Sequence, residues 1–278
     1  MKLSRRMKRT IFSWLVLSPL VVAVLFPFAV MFITAIKPAT EVLQPTWWPS
    51  APQWQNFITM WQATNFGAAL WNSVYVAVLS TLLSLVVSIP AAYALSRFRF
   101  VGKGFVQQFL LVSQMLSPIV LVIGLFRLLV ALKLLDSLNA VVFVYATFNI
   151  AFSVWMLQSY FSTIPKDLEE AAWMEGATPW QALRKVFLPL ALPAMTVTAI
   201  FSFINAWNEF VIALTMLRNQ GSYTLPIQVF SLVAGRYTVE WHHVMAAAFA
   251  ATAAVLLAGT MVVGPGVSFD QGSTVSNP

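Results

Sequence analysis

Long apolar runs alternate along the chain with short charged stretches. A helical run of about twenty apolar residues matches the hydrocarbon thickness of a bilayer. Such runs lie near 11–36, 70–96, 105–131, 139–160, 191–216 and 244–264. They are continuously apolar, without the every-second-residue polar alternation of a barrel strand, so each is expected as a helix that satisfies its own backbone in lipid. The pattern predicts an all-α membrane protein with six transmembrane helices. Pro118, after Ser113, Gln114 and Ser117, marks a kink in the third run.

Between the fourth and fifth runs, residues 161–190 follow a different pattern. Pro165 suits a first helical turn, and Asp167, Glu169 and Glu170 place anions where a helix dipole favours them. Ala171, Ala172, Trp173 and Met174 propagate the helix, and Gly176 suits its C-terminal cap. Thr178 then caps a second helix with Pro179 at its first position. Arg184 and Lys185 fall in its last turn, and Leu188-Pro189 is expected to end it. The reading is a helix–turn–helix along the membrane surface. Ala171 and Ala172 are small enough to let a partner approach the backbone, and the second helix leads into the fifth run.

Composition supports the membrane reading. Of 278 residues, 59% are apolar and 9% charged, against about 25% charged in a soluble domain. The net charge of +7 sorts by membrane side rather than forming a nucleic-acid face. Segments 1–10, 97–104 and 161–190 hold 11 of the 16 Lys and Arg, whereas the opposite side holds Lys37, Lys133, Arg218 and Arg236. That bias puts both termini and the 161–190 loop in the cytoplasm. The first run is too long for a signal-peptide core and is expected as a retained span. The chain thus divides into a basic N-terminus (1–10), a six-span domain (11–264) and a mobile tail (265–278). The Trp- and Pro-rich segment 37–69 is an aromatic membrane anchor or a lip for an external partner. Segment 217–243 is long for a turn.

Catalytic and metal chemistry find no support. Cysteine is absent, and His242 and His243 are adjacent and stand alone as ligands, so no metal site is expected. No phosphate-binding G-x-x-x-x-G-K-[ST] loop occurs, and no Ser/His/Asp or paired-carboxylate arrangement suggests a reaction. The chain is read as not an enzyme.

Polar residues inside spans are costly and face a bundle interior or a pathway. Thr198, Ser202, Asn205 and Glu209 share one helical face, and Tyr145, Asn149 and Ser153 share another. Gln114, Tyr145, Asn149, Ser202, Asn205 and Glu209 are candidates to line a path for a neutral polyhydroxylated solute. The alternative is that these faces join helices by hydrogen bonds. Glu209 is the lone acid within a span, which disfavours an ion-coupled carrier; a non-transporting membrane scaffold is the remaining rival.

The loop also carries a family signature. Glu170-Ala171-Ala172, three residues, Gly176, nine residues, Val186, one residue and Leu188-Pro189 resembles the cytoplasmic loop of permease subunits of bacterial ATP-binding-cassette importers. The likeness extends to Asn72-Ser73, Ala91–Phe98, Ile164-Pro165, Ala206–Phe210 and Thr224-Leu225-Pro226, and is to the G-type permease of maltose-type carbohydrate importers. It implies that Glu170, Ala171, Ala172, Gly176, Leu188 and Pro189 couple the chain to an ATPase. It further implies a second permease in a heterodimer, two cytoplasmic ATPase subunits, an external solute-binding protein and a multi-pass place in the bacterial inner membrane. ATP and Mg would belong to the ATPases, with no cofactor in this chain. The solute class implied is sugars, or a relative such as a glycerol phosphate. Two departures stand out. Glu175 replaces the family's usual Asp, and no Lys or Arg follows Arg236, where the family commonly has a basic tail against the ATPase.

Overall fold

The computed structural model describes residues 5–234 and 239–263, with side chains described from 14 to 257 in that range. The expected mobile tail, 265–278, and Arg236 lie outside the described residues. All regular structure among the described residues is helical. The helices are α1 (Arg5–Ala35), α2 (Gln55–Ala63), α3 (Phe66–Arg97), α4 (Lys103–Met115), α5 (Pro118–Ala131), α6 (Leu138–Thr163), α7 (Asp167–Met174), α8 (Pro179–Ala182), α9 (Leu188–Asn208), α10 (Val211–Met216), α11 (Leu225–Ser231) and α12 (Trp241–Val263). A π-helical turn, Leu183–Phe187, joins α8 to α9.

Among the described residues, four helices are long and apolar enough to cross a membrane: Trp14–Ala35, Phe66–Arg97, Leu138–Thr163 and Pro179–Asn208. Their outward faces carry many exposed Leu, Val, Phe and Trp side chains. Such a surface would aggregate in water, whereas lipid solvates it. The part of α12 with described side chains, Trp241–Leu257, is apolar but shorter. The expected count of six therefore rests on taking α4 and α5 as one crossing and on continuing α12 past Leu257.

Two expected spans are broken. The run 105–131 is not one kinked helix: α4 and α5 meet at 97°. Leu116 and Ser117 are extended, with ψ of 120° and 131°. A residue before proline is driven to that region, and Pro118 then starts a fresh helix at its first turn. The run 191–216 is likewise two helices, α9 and α10, separated at Glu209, whose ψ is 126°. Its cause is a side chain, described below.

The chain forms two contact units, residues 1–67 with 228–254 and residues 68–227 with 255–278. In the first, Asn56 donates to the carbonyls of Ala35 and Lys37 at 2.8 and 2.9 Å, closing the C-terminal end of α1. Lys37 is buried and donates to the Thr46 carbonyl. Phe32 meets both Trp54 and Phe249, while Trp47 and Trp48 stay exposed, as amphipathic anchors do at a bilayer surface.

In the second unit, the loop after α10 is bound to the start of α3. Asn72 donates to the Gly221 and Tyr223 carbonyls at 3.0 Å each, and Ser73 Oγ accepts from the Leu225 amide at 2.7 Å. Asp136, at φ +60°, accepts from the Arg218 and Asn219 amides. So much of the expected long connection is tied down, and it contains a 3₁₀ turn, Gln220–Ser222, followed by α11.

Candidate functional site

The helix–turn–helix is built from its caps. Ile164 is extended before Pro165 (ψ 128°), which ends α6. The first turn of α7 carries Asp167, Glu169 and Glu170. The helix closes with two paired bonds, from Gly176 N–H to the Trp173 carbonyl (2.9 Å) and from Ala177 N–H to the Ala172 carbonyl (3.0 Å). This is the Schellman arrangement. It needs a left-handed residue, and Gly176 has φ +83°. A Cβ there would meet nothing within 4 Å, so the backbone conformation, not crowding, calls for glycine. Thr178 and Gln181 then form a reciprocal capping box, with bonds of 3.3 and 2.8 Å, and Pro179 opens α8.

Leu188-Pro189 does not end the second helix. The helix continues from Pro179 to Asn208. The intervening π turn explains how: Leu188 N–H reaches back five residues to the Leu183 carbonyl. Widening the turn accommodates a proline that supplies no ladder donor, so the chain passes Pro189 without stopping.

One face of this element is open. Glu170, Ala171, Gly176 and Pro189 are exposed, and Ala172 and Leu188 are half-buried. Beside them Met174 is 90% and Trp180 63% exposed. Two large apolar side chains thus stand out from a short, charged surface element, next to two alanines.

The opposite face is anchored by residues that sequence reasoning did not single out as functional. Glu169 is 3% exposed. Its Oε1 accepts from the Tyr93 hydroxyl at 2.6 Å, and its Oε2 lies 3.4 Å from Arg97 Nε. That second contact is an ion pair without hydrogen-bond alignment, since Nε makes no hydrogen bond. The guanidinium's bonds go elsewhere: Nη2 donates to the Phe161 and Ile164 carbonyls at 3.0 and 2.6 Å. These carbonyls lie at the C-terminal end of α6, where a cation also suits the dipole; that of Phe161 accepts from the Ile164 amide as well. The same guanidinium lies 4.7 Å from the Phe187 ring centroid. Phe187 also packs on Tyr93 and Phe161, at 5.0 and 5.9 Å between centroids. Arg97 therefore joins the end of α3 to α6, α7 and the π turn. The legible signal was Tyr93 and Arg97 four apart on one face of a helix; their partners lie far along the chain.

The candidate path residues gather at a second polar cluster, between α6 and α9. Ser153 and Ser202 hydroxyls are 3.2 Å apart, and Asn149 Nδ2 donates to the Ser202 carbonyl at 3.3 Å. Both serines and Asn149 are buried. The Tyr145 hydroxyl donates to Glu209 Oε2 at 2.5 Å. The Glu209 carboxylate also accepts from the Ile212 and Ala213 amides at 2.9 and 3.1 Å. It thus satisfies the first turn of α10 and causes the break after α9. Asn205 and Gln114 are exposed, with Gln114 donating to the Phe148 carbonyl at 3.4 Å. So Tyr145, Asn149, Ser202 and Glu209 are brought together by one another, whereas Asn205 and Gln114 stand apart from that seam.

At the start of α12, His243 Nδ1 lies 2.7 Å from Glu240 and Nε2 3.0 Å from Thr59 Oγ1. Both ring nitrogens are engaged.

These features define a polytopic helical membrane subunit with a capped, partly apolar helix–turn–helix fused to one of its membrane helices. The chain belongs to the family described as binding-protein-dependent transport system inner membrane component, which matches residues 84–265. It is a permease of that importer family. It is 36% identical over 217 residues to the trehalose transport system permease protein SugB of Mycobacterium tuberculosis, covering 78% of this chain and 79% of that one. It is 34% identical over 232 residues to the diacetylchitobiose uptake system permease protein DasC of Streptomyces coelicolor, covering 81% and 84%. Among solved structures, a bacterial ABC transporter involved in the import of the acidic polysaccharide alginate has a similar fold. Its TM-score is 0.75 at 23% identity, over 95% of this chain and 98% of that one.

Proposed function

We propose that this permease carries a glycoside or similar polyhydroxylated solute, and that separate ATPase subunits drive it through the 161–190 loop. The observation that carries the coupling role is the exposed ridge of Ala171, Met174 and Trp180 on an element fused to α9. A partner that covers this ridge would bury large apolar side chains beside small ones, a good anchor for a docked subunit. Glu170, Ala172 and Gly176 shape the same surface, while Leu188 and Pro189 lie where the element enters α9. The sugar reading is supported by relatives named for trehalose and diacetylchitobiose transport.

In this reading the loop and both termini are cytoplasmic, in keeping with the bias of Lys and Arg. ATP and Mg are held by the ATPases. A second permease pairs with this chain, and an external binding protein delivers the solute. The exposed side chains of Asn205 and Gln114 are the candidates to touch it, because Tyr145, Asn149, Ser202 and Glu209 are engaged in hydrogen bonds within the protein.

The experiment is co-purification of the complex from membranes, followed by uptake of labelled trehalose, diacetylchitobiose and glycerol 3-phosphate into proteoliposomes. ATP-dependent uptake of a glycoside, lost with Ala171→Trp/Ala172→Trp together with ATPase binding, is expected. Retained ATPase binding in that variant would refute docking at this ridge, and uptake of glycerol 3-phosphate alone would refute the sugar reading.

A further inference from the structure

We propose that Glu169, Arg97 and Tyr93 form a buried clamp that makes α7 move as one body with the end of α3. Motion at the loop would then be delivered to two membrane helices, α3 through the clamp and α9 through the chain. This rests on the proposed docking of an ATPase on the loop.

Three observations lead here. First, Glu169 and Glu170 are adjacent acids with opposite fates: Glu170 is exposed and Glu169 is buried. A helix dipole accounts for an acid in the first turn but not for burying it, since burial of a carboxylate is costly unless it is paired. Second, both Glu169 oxygens are committed to α3, one to Tyr93 and one to Arg97. Third, Arg97 does not serve Glu169 alone. It also ties down the end of α6 and stacks on Phe187 of the π turn. With Phe187 ahead of α9 and Glu169 on α7, both arms of the helix–turn–helix are referred to one guanidinium. Arginine suits this junction because its planar, always-charged fork can meet a carboxylate, two carbonyls and a ring at once. Loop and span are therefore joined at a second point, Glu169, 19 residues before α9 begins at Leu188.

These are positioning residues: they touch neither solute nor nucleotide. The chain has no cysteine, so paired labels are clean. Nitroxides at Leu168→Cys and Arg99→Cys in the full reconstituted complex report the separation of α7 from the end of α3. A Glu169→Gln variant removes the ion pair while keeping an acceptor for Tyr93; Tyr93→Phe removes the hydrogen bond and leaves the charges paired. The expected result without either substitution is one narrow distance, unchanged between nucleotide-free and ATP–vanadate states. Either substitution should broaden it and make it depend on nucleotide. Uptake per ATP should fall about tenfold, within the usual range of inter-site coupling; the melting temperature drops for Glu169→Gln, which leaves the buried Arg97 without its counter-charge, and changes little for Tyr93→Phe. A merely structural role would lower the melting temperature and leave that ratio intact, which would overturn the clamp. So would a narrow distance and normal ratio in both variants. If Glu169→Gln prevents assembly, Tyr93→Phe decides alone. If the Ala171→Trp/Ala172→Trp complex still retains its ATPase, the docking itself is refuted and the clamp loses its input.

Discussion

Two tyrosine–glutamate pairs, nearly identical in chemistry, do different work in this permease. Tyr93 meets Glu169 at 2.6 Å and Tyr145 meets Glu209 at 2.5 Å. The difference lies in what completes each carboxylate. Glu169 is completed by a cation, Arg97, from a distant helix. Glu209 is completed by two backbone amides of the turn that follows it. The first therefore joins a surface element to a membrane helix. The second is chiefly local: it breaks a helix, caps the next piece and holds the joint against α6. An acid paired with a tyrosine, by itself, says little about function until its second partner is named.

The comparison breaks most severely at Arg97. Arg97→Ala leaves Glu169 buried without its cation and takes the guanidinium's bonds from the Phe161 and Ile164 carbonyls. Loss of one partner of a buried pair costs about 3–5 kcal/mol, so the permease should fail to co-purify with its ATPase or melt far earlier. Glu209→Ala should cost less, about 1–3 kcal/mol, because the freed amides are left without an acceptor but no charge is stranded. Hydrogen exchange should then quicken at 211–216 while ATPase binding persists. Gly176→Ala is smaller again. It forces a side chain into a left-handed backbone at roughly 1–2 kcal/mol with no clash, and should weaken ATPase retention in a pull-down without affecting membrane insertion. The smallest effect belongs to Asp136. The Arg218 and Asn219 amides hold its carboxyl below the ordinary range. Its contribution is thus present at neutral pH and is lost as pH falls through that lowered value. Asp136→Ala should quicken exchange of the Arg218 and Asn219 amides near neutrality, and abolish any further acid-induced change there.

Local chemistry was legible in the chain and long-range pairing was not. Gly176, Thr178 and Pro179 announce their own backbone positions, and the turn they build is the one observed. The apolar runs locate α3 and α6 to within a few residues. Leu188-Pro189 misled because proline normally ends a helix, and a preceding π turn has no simple sequence mark. Pro118 marked the place of the third run's break but not its 97° angle. Glu209 read as a polar residue facing a path because its face matched Thr198 and Ser202; only the structure shows its carboxylate turned onto the amides ahead. Glu169 hid in plain view: its role depends on Tyr93 and Arg97, 76 and 72 residues earlier, and periodicity carries no information about such contacts.

The central claim is that the Glu169 pair transmits and the Glu209 pair caps. The most direct test is the number of solute molecules taken up per ATP hydrolysed, measured side by side for Glu169→Gln and Glu209→Gln complexes in proteoliposomes. The account predicts that Glu169→Gln keeps hydrolysing ATP with little uptake, whereas Glu209→Gln changes uptake and hydrolysis together and keeps their ratio. Equal ratios in the two variants, or uncoupling by Glu209→Gln alone, would contradict it.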